Sequence, residues 1–378
     1  MKYFLIAGEA SGDLHASRLM KQLIISDHDA EFRFFGGDKM SRYGGSPIVH
    51  YRNMAFMGFV NVIRNLDKIF ALRRLAKREV MRFHPDHVIL VDYAGFNLPF
   101  AKFVKENLPN TVVDYYIAPK LWAWKSWRIR SIRRYVDNMF TIFPFETEWF
   151  GNRGYKVNYV GNPSVDAIAS FRKRGFNKEL FLTEHAIADR PIVLLLAGSR
   201  MQEIRNCLPV MAAVAKRFPN YQFVVAAAPG VRIDVYQHIL KGTDLLVLQN
   251  VTYELMSVAT AAIVNSGTAT LETALFRIPQ VVVYKVFGGR LTMILKPILI
   301  HTPFVSLVNI IAGREVVREL LAHQFTVDSA SAELSHILTD TAYRTSILEG
   351  YDTIINRLGE PGAPSRIVSH IKKELDYR

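Results

Sequence analysis

The chain has 378 residues, more than one ordinary core holds and comfortable for two domains. Half the residues are hydrophobic and 21% are charged, which excludes a disordered or low-complexity protein. A net charge of +13 seeks anions (nucleic acid, phosphorylated ligands or an anionic lipid face), and the single cysteine, Cys207, excludes an intrachain disulfide or a thiolate metal cluster.

In chain order, residues 3–7 read as a first buried strand. Glu9 and Asp13 follow so soon that the run is too short and too acidic for a signal-peptide core, and the protein is expected in the cytoplasm. The turn Ala7-Gly8-Glu9-Ala10-Ser11-Gly12-Asp13-Leu14-His15 leads into a helix expected over about 14–25. It has neither the dinucleotide nor the P-loop fingerprint. Its glycines let backbone N–H groups approach an anion at a helix start, but spacing alone favours capping of the helix by Ser11 or Asp13. Residues 32–37 form a second strand ending in glycines.

A basic amphipathic helix follows. Arg64, Lys68, Arg73, Arg74, Lys77, Arg78 and Arg82 interleave with Ile63, Leu66, Ile69, Phe70, Leu72, Leu75 and Val80. Just before it lies the apolar stretch Met54-Ala55-Phe56-Met57-Gly58-Phe59-Val60. A second basic run, 125–134, sits beside Trp122, Trp124 and Trp127, a pairing suited to a lipid headgroup boundary. Phe56, Met57, Phe59, Arg73 and Arg74 are the expected membrane or acyl contacts. Helices that pack on a sheet and solvate their basic faces are the other reading.

Residues 87–92, 111–117 and 138–143 are further strands. The third strand ends in Val91-Asp92-Tyr93-Ala94-Gly95-Phe96-Asn97, which puts a carboxylate at the sheet's carboxyl edge. A general base for a sugar hydroxyl would stand there; a structural cap of the next helix is the equal alternative. The pattern pauses over 161–190 and restarts with strands at 191–196, 222–227, 244–248, 261–265 and 280–285. Continuous apolar strands separated by helices imply parallel sheets covered on both faces. The expected fold class is therefore α/β, with two facing Rossmann-like domains and a ligand cleft at their strands' carboxyl ends. Residues 1–165 form the first domain and 166–345 the second. Residues 346–378 form a helical tail that packs back on the first.

In the second half, Leu196-Ala197-Gly198-Ser199-Arg200 joins a strand to a helix from about residue 202. Arg200 can bond two phosphate oxygens of a departing nucleoside diphosphate. Asn265-Ser266-Gly267-Thr268-Ala269-Thr270-Leu271-Glu272 offers Ser266, Gly267 and Thr268 as donors at a helix N-terminus, and Glu272 as an acceptor for ribose hydroxyls. A capping box through Glu272 fits the spacing less well. The largely apolar stretch 291–313 is broken by Lys296, Pro297, His301 and Pro303; it reads as short helices near a bilayer or lipid, or as ordinary core, rather than a span. No metal-ligand spacing occurs, no D-x-D element sits at the end of a strand and there is no G-x-S-x-G elbow, so neither metal nor cofactor is expected.

Together these blocks resemble the lipid-A-disaccharide synthase family. The likeness runs from Ala7-Gly8-Glu9-Ala10-Ser11-Gly12-Asp13-Leu14 through Met57-Gly58-Phe59-Val60, Val91-Asp92, Phe96-Asn97 and Leu121-Trp122-Ala123-Trp124. It continues through Phe143-Pro144-Phe145-Glu146, Gly161-Asn162-Pro163, Gly198-Ser199-Arg200, the 266–272 block, Val305-Ser306-Leu307 with Asn309, and Ala312-Gly313-Arg314-Glu315. The resemblance implies a GT-B glycosyltransferase that is metal-independent and inverts at the anomeric carbon. It implies UDP-2,3-diacylglucosamine as donor and 2,3-diacylglucosamine 1-phosphate (lipid X) as acceptor, at the cytoplasmic face of an anionic inner membrane. Asp92 is then the candidate base on the acceptor 6-hydroxyl, and Arg200 binds the diphosphate. Ser266, Gly267, Thr268 and Glu272 line the UDP site, Asn309 sits at the donor side, and Gly8, Ser11 and Gly12 join the substrate-binding set. No nucleic acid or obligatory protein partner is implied. Asn61 and Ala118 depart from the common family residues Glu and Ser, and Gly95 stands where some members carry a second acid. Another GT-B transferase, a UDP-sugar epimerase, a basic nucleic-acid binder and a non-catalytic membrane scaffold are the alternatives.

Overall fold

A computed structural model describes residues 1–54, 66–123, 126–188, 190–285 and 302–376. Phe56, Met57, Phe59 and Trp124 lie outside the described residues, as do residues 291–301 of the apolar stretch at 291–313. The chain forms two units, Met1–Pro163 with Glu360–Arg378, and Ser164–Gly359. The residues expected to form one tail are divided: the helix Thr341–Leu358 belongs to the second unit and the helix Ala363–Asp376 to the first.

The first unit holds β1 (Lys2–Ala7), β2 (Glu31–Gly36), β3 (Val49–His50), β4 (His87–Val91), β5 (Val112–Tyr116), β6 (Asn138–Thr141) and β7 (Asn158–Tyr159). They form a parallel seven-stranded sheet ordered β3-β2-β1-β4-β5-β6-β7. Alternate residues serve opposite faces. Phe4, Ile6, Val88 and Leu90 enter one core, where the helices Leu66–Phe83 and Ala94–Asn107 pack through Ala76, Val80, Phe100 and Val104. Tyr3, Leu5, Ala7, Ile89 and Val91 enter the other, beneath Leu19 and Leu23 of the helix Ala10–Ser26. Ala363, Ile367, Val368 and Ile371 of the C-terminal helix close that face. Each buried Phe, Leu, Ile or Val among these contributes about 1.5–3 kcal/mol by leaving water, so a charge at Leu5 or Ile6 would break the sheet.

The second unit holds β8 (Ile192–Leu196), β9 (Gln222–Ala227), β10 (Leu246–Gln249), β11 (Ala259–Asn265), β12 (Gln280–Tyr284) and β13 (Glu319–Leu321), ordered β10-β9-β8-β11-β12-β13. One face of its core joins Ile192, Leu194, Leu196, Val224, Ala262 and Val264 to Leu255 and Met256. Not expected from the sequence are β3, β7 and β13, each two or three residues long and each at a sheet edge. Among the described residues no helix is long and apolar enough to cross a membrane.

Candidate active site

In each sheet the chain order reverses at one place, between β1 and β4 and between β8 and β11. Loops that leave neighbouring strands in opposite directions open a crevice at the carboxyl edge, where parallel sheets bind ligands. The four turns singled out in the sequence leave these four strands.

After β4 the backbone does something rare. Asp92 and Tyr93 both have left-handed conformations, with φ of 46° and 48°. Such residues cost of order 1–3 kcal/mol each and persist only where the surroundings hold them. The clamp is visible. The Asp92 carbonyl accepts hydrogen bonds from the Tyr115 hydroxyl and from Asn97 Nδ2 (2.7 Å), and Asn97 also donates to the Val91 carbonyl at 3.3 Å. The Tyr93 hydroxyl donates to the Met54 carbonyl (2.7 Å), and its ring stacks on Phe96 at 5.9 Å. Arg73 Nη2 donates to the Gly95 carbonyl at 2.8 Å. The Asp92 side chain is exposed at its surface, yet protein atoms crowd it on most sides. That crowding raises its carboxyl above the ordinary range, against the Lys120 cation and the Tyr93 N–H, which lower it.

Beneath this edge Glu146 is fully buried. Its carboxylate accepts from Trp122 Nε1 (3.2 Å), Ile142 N–H (3.2 Å) and Phe143 N–H (3.1 Å). Burial pushes it up to about 7, opposed by the Phe143 N–H, the Trp122 indole, the Ile142 N–H and Lys120. The turn after β1 also differs from its sequence reading. The helix begins at Ala10, so Ser11 and Asp13 already lie inside it and neither caps it. Asp13 instead accepts the N–H groups of Gly37 (2.8 Å), Lys39 (3.1 Å) and Met40 (3.1 Å), and so caps the helix Asp38–Gly44. Gly8 is buried, and a Cβ there would collide with the Tyr93 ring. Gly12 packs against Ala7, where a Cβ would sit 3.3 Å from the alanine methyl; Ser11 is exposed.

In the second unit, Arg200 stands at the start of the helix Met201–Ala215, with its side chain 66% exposed and 3.6 Å from Glu203. Glu203 accepts the N–H groups of Ser199 (3.0 Å) and Arg200 (3.2 Å), which fixes the turn. Gly198 has φ of 115°, and a Cβ there would meet Glu203 at 2.6 Å. After β11, Gly267 and Thr268 are exposed at the start of the helix Thr268–Leu275, whose N-terminal N–H groups favour an anion. The Ser266 hydroxyl donates to the Val305 carbonyl at 3.0 Å. Glu272 accepts from the Tyr253 hydroxyl (2.8 Å) and the Ser164 hydroxyl (3.4 Å). Burial raises its carboxyl, against those two bonds.

Asn309 is completely enclosed. Its amide donates to the Val317 carbonyl (2.8 Å) and Glu319 (2.9 Å) and accepts from the N–H groups of Val316 (2.8 Å) and Val317 (3.1 Å). All four hydrogen-bonding positions of an asparagine amide are thereby used. Glu319 also accepts from the Val305 and Ser306 N–H groups and the Ser306 hydroxyl, so Asn309 and Glu319 hold the segment that receives Ser266.

The model of the lipid-A-disaccharide synthetase family matches residues 3–360. The lipid-A-disaccharide synthase of Myxococcus xanthus is 34% identical over 382 residues, covering 99% of this chain and 97% of the relative. The chain belongs to the lipid-A-disaccharide synthase family. It is a GT-B glycosyltransferase of lipid A biosynthesis. The synthase of Coxiella burnetii (strain Dugway 5J108-111) is 33% identical over 348 residues, covering 91% of this chain and 90% of the relative. Among solved structures, a UDP-GlcNAc 2-epimerase from Neisseria meningitidis bound to UDP-GlcNAc has a TM-score of 0.68 at 16% identity, covering 99% of this chain and all of that one. The calicheamicin glycosyltransferase CalG4 has a TM-score of 0.57 at 14% identity, covering 99% of this chain and 98% of that one. These two share the fold.

Sequence reasoning left out the residues that support the family's turns. Glu203 was legible, because an acid three residues after a helix's cap position is a capping-box spacing. Glu146 has the same spacing from Phe143. Tyr93, Lys120 and Glu319 carry no spacing signal, because their partners are distant in sequence.

Proposed function

We propose that the chain transfers 2,3-diacylglucosamine from UDP-2,3-diacylglucosamine to the 6-hydroxyl of 2,3-diacylglucosamine 1-phosphate (lipid X), releasing UDP. The first unit supplies the base: Asp92 takes the proton of the acceptor hydroxyl as its oxygen attacks the anomeric carbon. The second supplies the leaving group's contacts: Arg200 bonds the diphosphate, with Gly267 and Thr268 presenting N–H donors beside Ser266, whose own N–H and hydroxyl are held by the Val283 and Val305 carbonyls, and Glu272 accepting from the ribose. Attack opposite the departing UDP inverts the anomeric centre, and cationic side chains and helix N-termini neutralise the developing charge without a metal. The observation that carries this reading is the Asp92 seat: a carboxyl raised by crowding, on a clamped turn at the switch point of its sheet.

The reaction takes place at an anionic membrane surface in this reading. Phe70, on the basic helix Leu66–Phe83, and Trp127, just before the basic helix Ile129–Tyr135, are 53% and 64% exposed, a combination suited to headgroups. Association with anionic vesicles falls with salt; equal partition onto neutral vesicles removes this part of the proposal.

The test is UDP release from the donor with and without lipid X, repeated in excess chelator. Release that requires lipid X and survives the chelator supports the reading. The fold likeness to an epimerase makes donor alone the critical control, because an epimerase turns over without acceptor.

A further inference from the structure

A cavity of about 500 Å³ opens in the first unit, lined chiefly by the helix Leu66–Phe83 and by Pro99 and Phe100 of the helix Ala94–Asn107. Its size is that of a small-molecule site. Arg73, Arg74 and Lys77 line it against one carboxylate, Asp67, and Phe70 and Phe100 supply apolar walls. Cations beside aromatic surface fit an anionic group attached to an alkyl chain. Arg73 is the most telling member. Its Nη2 is held by the Gly95 carbonyl and its guanidinium lies 5.9 Å from the Phe96 ring, so the cation is fixed in place at the cavity wall.

We infer that this cavity is the subsite for the phosphate monoester of the acceptor lipid, with Arg73, Arg74 and Lys77 as its cationic contacts and Phe70 and Phe100 against the adjoining acyl chain. The inference rests on the acceptor assigned under the proposed function and names the residues that would recognise its phosphate. Two further features favour the acceptor over the donor. The cavity belongs to the unit that carries Asp92, and Arg73 bonds the same turn that holds Asp92. In the acceptor one sugar ring separates the reacting hydroxyl from the phosphate. A phosphate seated beside Arg73 therefore leaves the other side of the ring for the Asp92 turn. The subsite would explain selection of a phosphorylated acceptor, which attraction to a charged bilayer alone does not give.

The experiment compares lipid X with the same diacylglucosamine lacking its phosphate, in neutral detergent micelles. Arg74→Gln and Lys77→Gln are the principal variants, because neither residue bonds the Asp92 turn. Each should lower the preference for the phosphorylated acceptor, as a ratio of kcat/KM values, by about tenfold, the usual effect of losing one charge-assisted hydrogen bond. The KM for the donor stays unchanged. Arg73→Lys, which keeps the charge and loses the fork, should lower the ratio as well. A merely structural role slows both acceptors alike and leaves the ratio intact, which overturns the proposal. An effect seen only when anionic lipid is added assigns these cations to the bilayer and also overturns it. If the wild type releases no UDP with either acceptor, the parent reading fails; calorimetric titration of lipid X without donor then decides the subsite, and equal affinity in wild type and Arg74→Gln sinks it.

Discussion

Asp92 and Arg200 occupy matching places, each just past a buried strand at the switch point of its sheet, and the protein holds them in opposite ways. Around Asp92 the backbone is forced into a left-handed conformation and clamped by Tyr115 and Asn97, with the carboxylate crowded by protein. Around Arg200 the backbone is also pinned, by Glu203, but the guanidinium stands two-thirds exposed on a long stem. The difference follows the chemistry proposed for each. A base must meet one proton at one place, and a seat that raises its pKa makes it a better acceptor near neutral pH. A guanidinium on a departing diphosphate needs reach and a permanent charge, and its exposed pairing with Glu203 is worth little enough to exchange for phosphate oxygens.

The hardest test of this contrast is Asp92→Asn. We expect turnover to fall about a thousandfold, within the range for loss of a general base, while UDP affinity stays unchanged. Near-normal turnover in that variant removes Asp92 from the mechanism. Next is Arg200→Ala, for which UDP affinity should fall about ten- to a hundredfold together with the transfer rate, with Arg200→Lys recovering only part. Equal UDP affinity in wild type and the alanine variant, by calorimetry, means the exposed guanidinium does not serve the diphosphate.

The same contrast explains what the sequence disclosed. The long central strands were readable because burial on both faces demands continuous apolar runs, and Asp92 and Arg200 were readable as the first charges after such runs. The edge strands β3, β7 and β13 were not, because two or three residues carry no periodicity. Asp13 looked like a local cap, yet its partners Gly37, Lys39 and Met40 come from the next turn of the fold. The clamp on Asp92 was hidden for the same reason: Tyr115 reaches it from the neighbouring strand. Asn309 was found by resemblance, but nothing in its surroundings in sequence announces that its amide is enclosed and wholly bonded.

Glu146 sharpens the contrast through pH. It is protonated in both folded and unfolded chains below its ordinary value of 4.5, whereas burial raises it to about 7 in the folded state. As pH rises the unfolded chain ionises first, so stability present at low pH is lost as pH climbs from about 4.5 through about 7, by roughly 3 kcal/mol. Glu146→Gln cannot ionise and should lack this slope. The measurement is the Tm of both proteins at pH 5 and pH 8: the wild type should fall further than the variant. Parallel changes would mean that Glu146 stays ionised throughout, stabilised by the two backbone N–H groups and Trp122.

The smallest effect expected is that of Gly8→Ala, and it asks whether the first turn serves the ligand or the clamp. The new Cβ would run into the Tyr93 ring, which stacks on Phe96 and donates through its hydroxyl to the Met54 carbonyl. Because Tyr93 follows Asp92 directly and shares its left-handed backbone, the ring cannot yield without disturbing the acid's seat. Overpacking of this kind costs about 1–3 kcal/mol, and a small misplacement of the base should lower kcat about tenfold. Replacing Tyr93 by Ala in the same chain removes the collision, so the stability loss of the double variant should be smaller than the sum of the two single losses. If Gly8→Ala instead raises the KM of a substrate while leaving kcat and Tm at their wild-type values, the glycine admits a ligand to the backbone, and the Asp92 turn is held without its help.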